Sequence, residues 1–489
     1  MTILLMILIV VLALVIFMLI RTTQSGRAPE PVSLAERPLV DTKEVSQHLS
    51  QMIQIQSISK EGTGKTDPQP FLDIHTWVEN TYPLLSSRLE KITINTCSLL
   101  FCLPGSESSL APVLFNAHMD VVPVDESTLP AWKVEPFSGT IREGYVWGRG
   151  AIDMKGQAVG LMEAMEGLLR DGFLPKRTIY LAFGHDEEVM GFEGSTKIVE
   201  HLKAQGVHLA AMLDEGGFIS LDGLPGVSEP FAMVGISEKG YLTLKMETSA
   251  APGHSSQPPR QTAIGIMARA IALLDDHPMP THLQYLLPTL KSLSYLLPVG
   301  LRFVIANTWL FKSVLINNLT QSQQLNAMLR TTHAATMING GIKDNVLPAS
   351  VTAKVNLRLL PGDSITEVMQ YVNKVIDDPR VEISVDEENG GWEASAISPT
   401  DTPAYRSLDL VTRQVFNNVA VSPFVFLAAT DSRHYQSICK NIFKFSPFML
   451  SSEELQGMHG INERISQKSL TDMVVFYMRI MRVWGDAEF

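Results

Sequence analysis

Acidic residues and histidines lie at five places along this chain, mostly where an apolar run gives way to polar residues. His118 and Asp120 follow the apolar run 113–117. Residues two apart in a strand share a face, so these two side chains should point the same way. A carboxylate in that position can hold the second nitrogen of a metal-bound imidazole and fix the direction of the ring. Taken alone, such a pair is more often an ordinary structural feature.

The second place is the glycine-rich segment GRGAIDMKG at residues 148–156, whose functional candidate is Asp153. A dinucleotide-binding turn would need a glycine where Asp153 stands, and no GxxxxGK sequence follows, so a phosphate loop is excluded. The glycines instead allow a sharp backbone path that aims one carboxylate inward. A plain surface loop is an equally good interpretation of this segment by itself.

Glu187 and Glu188 follow the apolar run 178–183. Adjacent residues in an extended chain face opposite ways, so one acid could bind a metal while its neighbour reaches the attacking water. A solvated charged loop is the alternative. Asp214 closes the run 209–213, and His459 lies in the segment MHGINE at residues 458–463; each is ordinary in isolation.

Together these places supply two imidazoles and three carboxylates near strand ends of one α/β sheet, the edge where such folds bind ligands. Their conjunction is much less expected by chance than any member alone. The sequence therefore predicts a metal centre built from His118, Asp153, one of the pair Glu187 and Glu188, Asp214 and His459.

The apolar runs and helical patterns predict an α/β fold, a mixed sheet flanked by helices, with an inserted α+β domain. A chain of 489 residues is too long for one ordinary core, which suggests two domains. The predicted boundaries are a membrane anchor or signal at 1–21, a linker at 22–40, a first domain in two parts at 41–247 and 363–489, and the insert at 248–362.

The composition is 45% hydrophobic and 18% charged, which is typical of folded globular proteins. The net charge of -12, without clustered Lys and Arg, excludes nucleic acid as an expected partner. Cys97, Cys102 and Cys439 form no disulfide framework and are interpreted as small core residues.

Residues 2–20 carry no charge and are about as long as the roughly 20 residues that cross a bilayer as a helix. The length and the lack of a clear A-x-A site favour an uncleaved anchor over a cleaved signal. The chain is accordingly expected to be tethered to a membrane, with its folded body on the periplasmic, lumenal or extracellular side. Against that orientation, Arg21, Arg27 and Arg37 follow the helix, and the positive-inside rule would keep them cytoplasmic.

The insert contains no Asp or Glu between residues 277 and 343, and residues 285–316 are strongly apolar but are interrupted by Pro288 and Pro298. A spanning helix is not expected there. A basic, apolar surface suits an anionic amphiphile or a membrane face. An equally good interpretation is that this segment forms the core of the insert and a dimer contact.

The segments FNAHMDVVP (115–123), GRGAIDMKG (148–156), GHDEE (184–188), LDEGG (213–217) and MHGINE (458–463) resemble, in order, those of the co-catalytic di-zinc aminoacylase and carboxypeptidase family. The similarity covers nearly the whole chain after the linker. It is greatest to the carboxypeptidase S (Gly-X carboxypeptidase) branch, which includes N-fatty-acyl-amino-acid hydrolase/synthases.

The resemblance implies two Zn²⁺ per chain. It makes Asp153 the bridging ligand, places His118 and Asp214 on one zinc, and places Glu188 and His459 on the other. It also makes Glu187 the general base toward a metal-bound water and Asp120 the carboxylate that orients His118. The insert would be the lid domain of the family. It would supply the substrate-binding residues His254, Asn345 and Arg358. Arg433, outside the insert, is a further candidate for the substrate carboxylate, and a structural ion pair is an equally good interpretation of it.

The function that follows is cleavage of the amide bond in C-terminal dipeptides or in N-acyl amino acids, including N-fatty-acyl ones. In dimeric relatives the lid histidine can come from the partner subunit, so a homodimer through the lid domain is expected. The alternatives are an aminopeptidase or dipeptidase on the same metals, and a non-catalytic binding ectodomain, which would usually lack some of the ligands or the base.

Overall fold

The computed structural model describes residues 2–62, 65–222, 227–387 and 390–486. In chain order its strands are β1 (Glu90–Ile94), β2 (Ser98–Leu103), β3 (Val113–His118), β4 (Ile141–Arg142), β5 (Tyr145–Trp147), β6 (Ile179–Gly184), β7 (Ala211–Ser220), β8 (Phe231–Glu238), β9 (Gly240–Ser249), β10 (Gly253–His254), β11 (Thr332–Gly340), β12 (Val346–Leu347), β13 (Ser350–Leu359), β14 (Val381–Val385), β15 (Gly391–Trp392), β16 (Ala420–Phe426), β17 (Ile442–Leu450) and β18 (Arg464–Ser466).

The α-helices are α1 (Thr2–Ser25), α2 (Thr42–Gln54), α3 (Gln69–Thr81), α4 (Pro83–Arg88), α5 (Lys155–Arg170), α6 (Ser195–Ala204), α7 (Ala263–Asp276), α8 (Leu283–Ser292), α9 (Val299–Ala306), α10 (Thr308–Leu319), α11 (Gln323–Leu329), α12 (Ile365–Ile376), α13 (Pro403–Val415), α14 (Ser452–Leu455) and α15 (Gln467–Trp484). Short 3₁₀ helices cover Glu126–Ala131, Glu187–Val189, Ser294–Leu296 and Asp431–Ser437.

A mixed eight-stranded sheet forms the centre of the molecule, in the order β1-β2-β6-β3-β7-β17-β8-β16. Its middle strands β6, β3, β7 and β17 run parallel, so the carboxyl ends of β3 and β6 lie side by side. Strands β2, β3 and β6 are buried at every residue, as expected where helices cover both faces. The predicted α/β class is confirmed.

The two faces of this sheet are covered by different helices. Alternate residues of β2 divide between them: Leu99 and Phe101 face a large core with α2, α5, α13 and α15, while Leu100 and Cys102 face a smaller core with α6. Cys97, Cys102 and Cys439 are all buried and unpaired, as the sequence predicted.

A second sheet has the order β11-β13-β9-β14, with β15 also paired to β9, and α7 and α12 pack on one face of it. Its strands run from Gly240 to Trp392, a wider span than the predicted insert at 248–362. Only Lys239 separates β9 from the end of β8 in the central sheet. The domain boundaries remain a prediction.

Residues 285–316, for which no spanning helix was expected, fall into the short helices α8, α9 and α10. Together with α11 they build a further apolar core against β8 and β16, at the edge of the central sheet. Among the described residues, α1 is the helix that is long and apolar enough to cross a membrane, and only 6% of its apolar window is buried.

Candidate metal centre

His118 is the last residue of β3, and its imidazole is held between three carboxylates. Nδ1 lies 3.0 Å from the backbone carbonyl of Asp120 and 3.3 Å from its Oδ1. Nε2 lies 3.1 Å from Oδ1 of Asp153 and 3.6 Å from Oε1 of Glu215. With Nδ1 engaged by Asp120, Nε2 is the nitrogen that faces the acidic cluster.

Asp153 is aimed into the cluster by a turn that is itself fixed by a buried acid. One oxygen of Glu463 accepts hydrogen bonds from the N–H groups of Gly150, Ile152 and Asp153, at 3.1, 2.9 and 3.1 Å. The other oxygen accepts from Nη1 of Arg149 at 2.7 Å. Gly150 adopts a φ of 88°, which explains the glycine at this position of the predicted sharp turn.

The carboxylate of Asp153 is shared by two imidazoles. Its Oδ2 lies 3.0 Å from Nε2 of His459, while its Oδ1 contacts His118. The same nitrogen of His459 lies 3.2 Å from Oε2 of Glu188. Two groups of close ligand atoms therefore meet at this point, one formed by His118, Asp153 and Glu188 and the other by His118, Glu187 and Glu215.

Glu187 and Glu188 belong to a 3₁₀ turn, so the extended backbone assumed for them was wrong. Their side chains nevertheless diverge: Oε2 of Glu187 lies 3.9 Å from Nε2 of His118, whereas Glu188 points to His459. Asp120 fixes the turn, because its two carboxylate oxygens accept from the N–H groups of Glu187 and Glu188 at 3.2 and 3.1 Å. Asp120 thus positions both His118 and the two glutamates.

Asp214 is not placed with the predicted ligands, and its neighbour Glu215 is. The strand does not end at residue 213 but continues as β7 to Ser220. Asp214 is fully buried, and its oxygens accept from Nδ2 of Asn116 at 2.8 Å and from N–H of Ser432 at 2.9 Å. A carboxylate engaged in this way is turned away from the histidines, while Glu215 reaches His118.

The signal for Glu215 was available in the sequence. Adjacent acids usually diverge, and this argument, used for Glu187 and Glu188, applies equally to Asp214 and Glu215. Strands β3 and β7 pair in parallel with Phe115 opposite Leu213, which puts Asn116 beside Asp214. Because the buried amide of Asn116 donates to Asp214, Asp214 is the less suitable of the two acids as a metal ligand.

The electrostatics of the cluster reflect crowded, buried acids. Burial raises the pKa of Glu187 and of Glu215 well above the usual range, and neighbouring carboxylates such as Asp153 add to the effect. The hydrogen bonds that His459 donates to Asp153 and Glu188 raise the pKa of its imidazole to about 10. Burial lowers the pKa of His118, but the surrounding acids outweigh it and hold that pKa well above normal.

The two arginines predicted to bind a substrate carboxylate are joined by an aromatic stack. The guanidinium of Arg358 lies 4.9 Å from the ring of Tyr241, and that ring stacks on Trp392 at 4.7 Å. The guanidinium of Arg433 lies 4.6 Å from the other aromatic ring, Trp392, and its Nη2 donates to the carbonyl of Met190 at 2.5 Å. The stack thus connects the second sheet to the loop that follows Glu187 and Glu188.

His254 and Asn345 lie close to each other but apart from the described contacts of the acidic cluster. His254 is exposed on β10, which pairs with β12, and its Nδ1 accepts from the N–H of Ser256 at 3.1 Å. The carbonyl of Asn345 accepts from the N–H of Ser255 at 3.2 Å. Their predicted roles toward substrate therefore remain predictions.

Comparison with known proteins gives the same family as the motifs. The chain is 39% identical over 412 residues to the N-fatty-acyl-amino acid synthase/hydrolase PM20D1 of Xenopus tropicalis, covering 83% of this chain and 79% of the relative. It is 36% identical over 443 residues to the probable carboxypeptidase S-like 2 of Dictyostelium discoideum, covering 90% of this chain and 85% of the relative.

Among solved structures, the M20 family metallo-carboxypeptidase Sso-CP2 from Sulfolobus solfataricus superposes with a TM-score of 0.65 at 16% identity, covering 91% of this chain and 100% of that one. The family model described as peptidase family M20/M25/M40 matches residues 114–483. The chain therefore belongs to peptidase family M20/M25/M40, a metal-dependent family, and is an enzyme of the peptidase or amidohydrolase type.

Proposed function

We propose that this enzyme hydrolyses the amide bond next to a free carboxylate, in N-acyl amino acids or C-terminal dipeptides, with two zinc ions and Glu187 as general base. One observation carries the proposal. The two oxygens of Asp153 lie 3.1 and 3.0 Å from Nε2 of His118 and of His459. A carboxylate shared in this way between two imidazoles supports a bridging ligand for a metal pair.

The donor set fits such a pair. Imidazole nitrogens and carboxylate oxygens are common zinc ligands. Oε1 of Glu188 is buried without a hydrogen-bond partner, as expected for an atom reserved for a cation. His118 and Glu215 would hold one ion, His459 and Glu188 the other, and Asp153 both. When bound, a metal pair lowers the pKa of water toward about 7 and polarises the scissile carbonyl.

Glu187 is positioned for proton transfer. Its carboxylate lies within the cluster, 3.9 Å from Nε2 of His118, and its backbone N–H is held by Asp120. Burial raises the pKa of Glu187 well above its usual range, and a bound metal pair would lower it again, toward a group that takes a proton from water and returns it to the leaving amine.

A substrate carboxylate is best matched by the arginines of the aromatic stack. Arg358 and Arg433 present guanidinium groups at its two ends, held by Tyr241 and Trp392. Guanidinium groups bind carboxylates with two parallel hydrogen bonds. His254 and Asn345 would complete the substrate site from the lid, and in a homodimer His254 would come from the partner subunit.

The acyl group is proposed to be long and apolar. An apolar cavity is lined by Phe218 on β7, Leu290 on α8, Leu325 on α11 and Leu455 on α14. Strand β7 also carries Glu215, and α14 leads into His459, so two elements connect the cavity to the metal centre.

The first test is Glu187→Gln, with Glu200→Gln on the exposed face of α6 as the matched control. We expect Glu187→Gln to lower kcat by about 100-fold or more while about two zinc ions per chain are retained. The control should keep full activity. Undiminished activity of Glu187→Gln with bound zinc would refute the mechanism, and catalytically silent wild-type protein would favour a binding ectodomain.

The second test distinguishes carboxypeptidase or aminoacylase action from aminopeptidase or dipeptidase action on the same metals. Dipeptides blocked at the amino end keep the free carboxylate that Arg358 or Arg433 would bind. Dipeptides blocked at the carboxyl end keep only the free amine. We expect cleavage of the first set, and faster cleavage of the second set would establish the aminopeptidase alternative.

We also propose that α1 anchors the enzyme in a membrane with the catalytic body on the non-cytoplasmic side. The length and exposure of α1 support the anchor. Protection of the body from protease in sealed vesicles would test the side.

A further inference from the structure

The carboxyl-terminal end of α1 packs against α9 and the start of α10. Nε of Arg21 donates to the carbonyl of Ala306 at 3.0 Å. Asn307 is fully buried, and its Nδ2 donates to the carbonyl of Met18 at 3.3 Å and to that of Phe303 at 2.9 Å. Removal of α1 would leave this buried amide with fewer partners, so the folded body is built to retain the helix.

These contacts lie at the depth where a spanning helix leaves the bilayer. A helix rises about 1.5 Å per residue, so residues 2–21 extend roughly 30 Å, the thickness of the hydrocarbon layer. The contacts with the body begin at Met18 and continue through Arg21. If α1 spans a bilayer, α9 and α10 therefore sit at its surface.

Helix α9 packs against α1, and α10 packs against α9; both expose large apolar side chains. Val299 is 70% exposed, Trp309 53%, Leu310 51% and Val314 53%. Leu310 and Val314 are four residues apart and share a face of α10. Single exposed apolar residues are ordinary, but a group of them beside a membrane helix marks an interaction surface. Tryptophan is enriched at the boundary between lipid and water.

The charge of the segment fits a lipid surface as well. Residues 277–343 contain no Asp or Glu, although the whole chain has a net charge of -12. Lys312 on α10 is exposed, whereas Arg302 on α9 donates to the carbonyls of Ser294, Tyr295 and Leu297. Basic residues beside a membrane are attracted to anionic headgroups, while acids would be repelled.

We propose that α9 and α10 form a bilayer platform, a surface that inserts into the interfacial layer of a lipid membrane and holds the catalytic body against it. The occupant is lipid rather than a second copy of the chain, because α9 packs directly against α1, and most of the apolar residues of α1 are exposed. The platform is independent of the proposed hydrolysis, since lipid contact can be measured without substrate.

The test uses the full chain in nanodiscs that contain phosphatidylcholine and phosphatidylserine. Leu310→Cys and Val314→Cys carry a nitroxide label, and Leu174→Cys, at a site 84% exposed in the loop after α5, is the matched control. The native cysteines are buried, so the label goes to the introduced site. Collision rates with oxygen, which concentrates in lipid, are compared with those of a water-soluble nickel chelate.

We expect the labels at Leu310 and Val314 to collide several-fold more with oxygen than with nickel, and the Leu174 label to show the reverse. Nickel-dominated collisions at both platform sites would overturn the proposal. Labels shielded from both reagents in discs with two chains would also overturn it, in favour of a dimer contact. Absence of amidase activity in the same preparations would bear on the proposed function alone.

Discussion

Asp214 and Glu215 are neighbours on β7, yet their carboxylates serve different partners. Asp214 accepts hydrogen bonds from Asn116 and the N–H of Ser432, whereas Oε1 of Glu215 lies 3.6 Å from Nε2 of His118. The two acids therefore offer a matched comparison of a metal ligand with a buried structural acid.

We predict that Glu215→Gln lowers the zinc content and reduces kcat/KM by more than about 100-fold. Substitution of residues that only support metal ligands already lowers metal affinity or activity by about 10–100-fold. Asp214→Asn should keep its zinc but lose about 1–3 kcal/mol of unfolding free energy, because its amide cannot accept both hydrogen bonds. Mass spectrometry of metals and urea unfolding measure the two effects. Loss of zinc only in Asp214→Asn would restore Asp214 as the ligand.

At this scale the sequence predicted residue types better than side-chain directions. His118, Asp153, Glu188 and His459 come together as expected, since each lies in a motif with distinctive flanks. The choice between Asp214 and Glu215 depends on strand register and on where β7 ends, and neither follows from an apolar run alone. The stack of Tyr241 on Trp392 joins residues about 150 positions apart, which no local pattern reveals.

Among the elements, the turn at residues 148–153 shows how a rigid support aims one ligand. Glu463 accepts three backbone hydrogen bonds from the turn and pairs with Arg149, and the side chains of Glu463 and Arg149 are both buried. Such a support is predictable from sequence only in outline. The glycines indicate a sharp turn, but no local pattern shows that Glu463, about 310 residues away, holds it.

We predict that Glu463→Gln lowers the free energy of unfolding by about 3–5 kcal/mol, because it leaves the buried Arg149 without a charged partner. Zinc affinity should fall with it, since Asp153 loses its fixed direction. The control is Glu453→Gln. The carboxylate of Glu453 lies 3.0 Å from Nη2 of Arg464, but the Glu453 side chain is 78% exposed. The control should change stability by less than about 0.5 kcal/mol, and an equal effect of both variants would contradict the role of Glu463.

The helices that line the apolar cavity give a second prediction at this scale. Leu325 on α11 is only partly buried, so a larger side chain there can extend into the cavity without disturbing the core. We predict that Leu325→Trp reduces kcat/KM for long-chain N-acyl amino acids by at least about tenfold. The indole would occupy space that the acyl chain needs, and loss of even one methylene contact in an apolar pocket lowers kcat/KM by about that factor. Activity toward N-acetyl amino acids should stay close to that of the parent.

Leu174→Trp, on an exposed loop away from the cavity, controls for the added bulk. An equal loss with long and short substrates would indicate damage to the metal centre rather than an acyl site. No loss with either substrate would mean that the cavity does not hold the acyl chain.

Across the whole molecule, Lys239 joins the two sheets. It lies between β8 and β9, is 1% exposed, and its Nζ donates to the carbonyls of Ala327 and Arg330 at 3.0 and 2.9 Å. The mixed sheet and its helices were predictable from periodicity, because buried parallel strands give continuous apolar runs. A buried lysine at the junction was not, since its partners are carbonyls from a distant helix.

Burial lowers the pKa of Lys239 to about 7. Between about pH 7 and pH 10.5 the unfolded chain therefore binds more protons at this site than the folded chain, so its contribution makes stability rise with pH across that window. Below about pH 7 both states are protonated, and burial of the charge is a constant penalty.

We predict that Lys239→Met abolishes this rise, so the unfolding free energy of the parent minus that of the variant increases from pH 7 to pH 10. Lys245→Met, on the partly exposed side of β9, should leave the difference nearly constant. Urea unfolding at a series of pH values measures both, and a flat difference for Lys239→Met would show that the junction lysine stays charged in the folded protein.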